Sequence, residues 1–186
     1  MRILVLLVTV MLFGCQSKPL PPVAVAEEVD LPRFMGCWFV LAHIPLPPEK
    51  NGWNGVEHYR LDEQGRVATT FTFREGGPDG ELKRYTPVAY VTDDPSNAIW
   101  KMQFLWPFKA DFRISWLDED YQLTVIGRKK RDYVWVMART PEISAQRWQE
   151  VEAFLAGQGY DMTKLRRMPQ QWSGTPGYGD EDVARD

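Results

Sequence analysis

The chain has 186 residues and a formal net charge of −3 at pH 7, long enough for one domain with a sizeable core and without the basic field that draws nucleic acid. Aromatic residues make up 13 %, including eight tryptophans, against two histidines and two cysteines. No His/Cys/Asp spacing suits a metal, and no Gly-rich phosphate loop or Ser-x-Gly elbow is present, so the residues offer no catalytic machinery and imply no cofactor.

The first element is an address. Met1-Arg2 supplies a positive end, and Ile3 to Phe13 is an apolar run interrupted only by Thr9. That run is too short to cross a bilayer, which takes about 20 residues, and it suits the core of an export signal. It ends in Leu12-Phe13-Gly14-Cys15, a small residue before a cysteine, which resembles the bacterial lipoprotein signal. The resemblance implies removal of residues 1–14 and lipid attachment at Cys15. With Gln16 rather than Asp after the cysteine, it implies lipid anchoring in the cell outer membrane, with the protein facing the periplasm. Residues 15–30 carry Pro19, Pro21 and Pro22 and no amphipathic period, and read as the lipidated cysteine and an extended tether.

From Cys37 onward the pattern has period two. Trp100, Met102 and Phe104 alternate with Lys101 and Gln103, and Phe112, Ile114 and Trp116 with Arg113 and Ser115. This predicts strands over 37–44, 55–61, 66–74, 84–92, 98–105, 110–117, 121–127 and 132–139. Turn signals such as Asp62-Glu63-Gln64-Gly65 and Asp93-Asp94-Pro95-Ser96-Asn97 separate them. Short loops favour an up-and-down order, and eight such strands close into a barrel that can hold one small ligand. The connection from Pro45 to Asn54 is longer, with three prolines and Trp53; it is either a lid over the mouth or a plain loop. The basic run Arg128-Lys129-Lys130-Arg131 falls at a hairpin tip and reads as a solvated turn or, in a second reading, as a phosphate or headgroup contact.

A helix follows the last strand. Ser144 is a good N-cap, Ile143 and Trp148 suit a hydrophobic staple, and Trp148, Val151 and Leu155 follow helical spacing. Gly157 and Gly159 end it. Its apolar stripe needs the outer wall of the barrel to cover. Met162 to Leu165 adds a short strand, and Ser173 to Asp186 reads as a disordered tail. The expected fold is all-β: an eight-stranded antiparallel up-and-down barrel over residues 31–172, with one C-terminal helix packed on its outside.

Gly36 and Trp38 open the first strand and Arg139, in Ala138-Arg139-Thr140-Pro141, closes the last. Between them Asp120-Tyr121 follows the sixth strand, with Glu119 where a Thr is usual, and Arg131-Asp132-Tyr133-Val134-Trp135 precedes the final arginine. With these motifs in this order, residues 31–172 resemble the lipocalin family, and with the leader they resemble its bacterial outer-membrane branch. Gly36 lets the chain turn in close under the barrel floor. Trp38 plugs that floor, and Arg139 lies on the indole face, a cation–π contact of roughly 0.5–2 kcal/mol.

Alternation from Trp38 turns Val40 and Ala42 inward, and alternation from Arg139 turns Tyr133, Trp135 and Met137 inward. With Phe71, Phe73, Trp100, Met102, Phe104, Phe112 and Ile114 the interior is apolar and aromatic. The resemblance makes that interior a cavity. It implies a protein that binds, stores or transports a hydrophobic ligand such as a fatty acid or lysophospholipid in the bacterial envelope, and not an enzyme. Tyr59, Tyr90 and His58 are candidates for a polar headgroup. Cys37 points out of the barrel and reads as an inert thiol. Two other readings stay open, a lipid-modifying barrel that uses Cys37 or a tyrosine and a filled structural barrel; so does assembly as a homodimer.

Overall fold

The computed structural model describes residues 20–174, so Cys15 with its leader and most of the acidic tail lie outside the described residues. The alternating segments form β1 (Gly36–Ile44), β2 (Gly52–Leu61), β3 (Val67–Glu75), β4 (Glu81–Tyr85), β5 (Val88–Val91), β6 (Ile99–Leu105), β7 (Phe108–Leu117), β8 (Leu123–Gly127) and β9 (Val134–Ala138). A two-residue β10 (Arg166–Arg167) edges β1. Neighbours pair antiparallel in chain order, and β1 pairs with β9 to close the barrel. β4 and β5 are two halves of one barrel strand. Tyr85 faces Phe71 and Val88 faces Ala68 on β3 in one continuous register. The break falls at Thr86-Pro87, because proline has no N–H for the ladder. The barrel is therefore eight-stranded, as the period-two pattern predicts.

β1 carries a bulge. Val40 faces Met137 on β9, but Ala42 faces Val136, so two residues of β1 answer one of β9. The extra residue reverses the alternation. Trp38 and Val40 join the inner cluster, whereas Ala42 packs in the outer one, under the helix. The expected inward Ala42 is corrected on this point.

The floor is built from more than the tryptophan. A short helix, α1 (Leu31–Phe34), is capped by Asp30, whose carboxylate accepts from the Arg33 N–H. It brings Phe34 fully inside, 5.0 Å from the Trp38 ring and edge-on to Trp100 at 5.5 Å. Trp38 Nε1 donates to the Phe34 carbonyl at 2.9 Å. The Arg139 guanidinium lies 3.8 Å from the Trp38 ring centroid and donates to the carbonyls of Cys37 at 2.7 Å and of Phe34 and Arg33 at 3.0 Å each. Burial lowers its pKa to about 10, so it stays cationic at neutral pH. Gly36 has φ +91°, a conformation that side chains disfavour, beside the Arg139 guanidinium.

Residues 20–30, read from the sequence as tether, instead lie along the barrel wall. Val23 and Val29 are buried. Ala26 donates to the Ile114 carbonyl at 2.9 Å, Val29 to Ser96 at 2.8 Å and Ala24 to Gln158 Oε1 at 2.7 Å, while the Pro21 carbonyl accepts from Arg131. Valines at 23, 25 and 29 give this extended strap apolar side chains to bury, which an amphipathic-helix search does not register.

Helix α2 (Ala145–Gly157) starts at Ser144, whose hydroxyl accepts from the Arg147 N–H. Its Val151 and Leu155 are fully buried in the outer cluster with Phe39, Val125 and Val136. Met162–Lys164 is a 3₁₀ turn rather than a strand, and pairing resumes only at β10.

Candidate functional site

The lower half of the barrel is filled. Trp100 stacks on Phe112 at 5.0 Å, and Tyr59 stands edge-on to Trp100 at 5.8 Å, above Phe34 and Trp38. Above this plug a cavity of about 360 Å³ opens toward the end of the barrel where β1 leads into β2. Met102, Phe104, Phe112 and Trp135 line it, together with Tyr59, Ile126 and Met137. Val40, Phe71, Phe73, Trp100 and Ile114 are buried in the inner cluster outside the cavity lining. Phe71 and Phe73 pack on each other and on Tyr85. Phe104 sits on the rim and is 56 % exposed. Tyr133 precedes β9 and lies half-buried between Trp135 and the Arg128 guanidinium, outside the lining.

The connection between β1 and β2 is a lid. Its Pro47–Glu49 segment forms a 3₁₀ turn, and Leu46, Pro47 and Pro48 cover the cavity. Prolines suit that place because they bring no N–H to bury. Glu49 pins the turn. It is 4 % exposed, accepts from Trp135 Nε1 at 3.1 Å, and lies 3.0 Å from His43 Nδ1. The bulge in β1 makes this possible, because it turns His43 toward the mouth.

Of the polar candidates read from the sequence, only Tyr59 lines the cavity. Glu57 and Tyr59 alternate into the barrel from β2, which turns His58 outward. Tyr59 is deep rather than near the mouth. Tyr90 lies outside the lining, its ring under the Lys109 ammonium at 3.5 Å and its hydroxyl on Gln103. The mouth instead holds Arg128 and Asp111. Arg128 Nη1 is 3.3 Å from Asp132, while its buried Nε has no hydrogen-bond partner among the described residues. Asp111 accepts from Arg113 Nε at 2.9 Å and from the Lys129 N–H at 2.7 Å.

Glu57 is the residue that sequence reasoning passed over. Its carboxyl Oε2 is buried and has no hydrogen-bond partner among the described residues. Burial, and then the nearby Glu49 carboxylate, push its pKa well above the usual range. The signal was present as Gly55-x-Glu57-x-Tyr59, where the tyrosine's inward face is shared by the glutamate.

Beyond the rim, the β6–β7 hairpin projects Leu105, Trp106 and Phe108, which are 70, 81 and 73 % exposed. The basic turn Arg128 to Arg131 joins β8 to β9 at the same end of the barrel. Cys37 is half-buried with the outer cluster, on the far side of β1 from the cavity.

A closed eight-stranded barrel, plugged at one end, lidded at the other and backed by one helix, defines a lipocalin. Residues 29–170 match the lipocalin-like domain family, and the chain belongs to it. Among its relatives, the outer membrane lipoprotein Blc of Citrobacter freundii is 31 % identical over 153 residues, covering 80 % of this chain and 85 % of that protein. Blc of Escherichia coli K12 is 30 % identical over 162 residues with the same coverage, and temperature-induced lipocalin-1 of Arabidopsis thaliana is 29 % identical over 161 residues, covering 82 % and 84 %. Among solved structures, insecticyanin of Manduca sexta superposes with a TM-score of 0.63 at 13 % identity, covering 88 % of each chain. Lobster apocrustacyanin A1 superposes with a TM-score of 0.60 at 16 % identity, covering 83 % and 92 %. Both share the fold.

Proposed function

We propose that this protein is a membrane-anchored carrier of fatty acids or lysophospholipids in the bacterial cell envelope, attached through Cys15 to the outer membrane and facing the periplasm. The observation that carries the reading is the apolar cavity above the aromatic plug, with the Arg128 guanidinium at its mouth. Burying an acyl chain there gains roughly 25 cal/mol per Å² of apolar surface. A cation at the rim suits a carboxylate or phosphate head. The exposed Leu105, Trp106 and Phe108 beside a basic turn support loading from a lipid surface, since apolar wedges with flanking cations favour anionic bilayers. The outer membrane lipoproteins among the relatives support the anchor. Cys37 lies outside the cavity, which supports binding over catalysis.

Titration of delipidated protein with palmitate or lysophosphatidylcholine, followed by tryptophan fluorescence, tests the reading. Saturable binding at micromolar affinity or better, about −8 kcal/mol, is expected. Met102→Trp should abolish it by filling the cavity, and Lys101→Glu, on the opposite strand face, should not. Absence of saturable binding by folded protein would move the reading to a filled structural barrel.

A further inference from the structure

Below the mouth the cavity wall is apolar but for Glu57 and, deeper, the Tyr59 hydroxyl. Glu57 enters from the middle of β2, opposite Trp38 on one side and Phe71 on the other, and so lies between the aromatic plug and the mouth. Its Oε2 is enclosed and meets no hydrogen-bonding group among the described residues. An enclosed polar atom without a partner is destabilising. A plain hydrocarbon chain laid against it would exclude water and leave that cost in place. A chain with a hydroxyl at that depth would remove it.

We propose that Glu57 is a hydrogen-bonding subsite that selects acyl ligands carrying a hydroxyl group on the buried part of the chain. The inference rests on the carrier reading above and narrows it to a ligand class. Burial and the Glu49 carboxylate behind the lid raise the pKa of this carboxyl and favour its protonated form. A protonated carboxyl has one O–H to donate and one oxygen to accept. A secondary alcohol has the same pair, so the two groups can satisfy each other, whereas a second carboxylate there would add to the repulsion from Glu49. With the acidic head at Arg128 and the hydroxyl at Glu57, the site reads two points on one ligand. The distance between them sets which carbon carries the hydroxyl. Sites that hydrogen-bond a buried ligand hydroxyl discriminate strongly against the analogue that lacks it.

The test compares palmitate with a series of monohydroxypalmitates, the hydroxyl placed at successive carbons, on the full chain and on Glu57→Leu and Glu57→Gln. In the unmodified protein at least one isomer should bind tenfold or more tightly than palmitate. Glu57→Leu should bind palmitate as well or better and lose the preference, leaving at most about a twofold difference between palmitate and any isomer. Glu57→Gln, which keeps a donor and an acceptor, should retain part of it and serves if the leucine variant does not fold. Equal binding of palmitate and every isomer overturns the subsite and leaves the carrier standing. A preference that survives in Glu57→Leu also overturns it. Failure of palmitate and all isomers to bind overturns both.

Discussion

Glu57 carries a consequence for stability that is independent of any ligand. Its pKa is raised in the fold by burial and by Glu49, from an ordinary value of 4.5. The folded state therefore keeps a proton that the unfolded chain releases, and stability falls wherever the unfolded chain binds fewer protons. The contribution is full below about pH 4.5 and is lost as pH rises through the folded-state pKa. Denaturant midpoints measured from pH 5 to pH 8 should decline in the unmodified protein and decline less in Glu57→Gln, with Asp111 and Arg128 at the mouth unchanged in both. Coincident slopes would show that the carboxyl is solvated. The opposite case is Arg139, a half-buried cation that meets four carbonyls and an indole face. Its place was legible in the sequence because the first and last strands must meet in a closed barrel, whereas a glutamate in a strand reads by default as an outward residue.

At the level of elements, the lid is held by one carboxylate. Glu49→Ala leaves Trp135 Nε1 and His43 Nδ1 without their shared acceptor, at a cost of about 1–3 kcal/mol. Amide hydrogen exchange over residues 46–51 should quicken, and the Glu57 pKa should move down as its carboxylate neighbour is lost. Unchanged exchange would mean that the prolines and packing hold the lid without the carboxylate. The spans of β6 and β7, and helix α2 with its Ser144 cap, were legible because a local period or cap specifies them. A bulge in β7 after Ile114, however, turns Trp116 off the face it was expected to share with Phe112 and Ile114 and onto the outer cluster, against Phe154 of α2. Three elements were not legible. The break between β4 and β5 was hidden within one predicted strand, although Pro87 marks it. The bulge in β1 depends on the register with β9, which no local pattern encodes, and it reversed Ala42 and turned His43 inward. Helix α1 is too short to show a period, so Phe34, the side chain beneath Trp38, went unread. The same limit applies to the cavity: alternation gives the inward face but not the depth, so it does not separate the lining Met102 and Trp135 from the buried Phe73 and Ile114.

At the level of the molecule, the domain begins before α1. Val23 and Val29 are 4 % and 1 % exposed and the strap around them bonds to β7, to the β5–β6 turn and to the end of α2. A chain cut to start at Leu31 should be less stable than one starting at Leu20 by on the order of 3–5 kcal/mol, from the loss of two buried valines. Thermal or denaturant unfolding of the two compares them directly, and equal stability would mean that the strap is held only loosely. The strap also bears on how the barrel would hang from the proposed anchor. It leaves the wall at Leu20, beside Gly159, next to the Pro21 carbonyl that Arg131 binds. Arg131 belongs to the β8–β9 turn at the lidded end. If Cys15 carries the proposed lipid, the five or so residues between it and the strap could span at most roughly 18 Å. Under that proposal the lidded end would explore a volume only a few nanometres across at the bilayer surface, where the membrane's own lipids would reach it at a high effective concentration. A ligand released by the cavity would then meet that membrane before bulk periplasm, and weak intrinsic affinity would be enough for efficient local exchange.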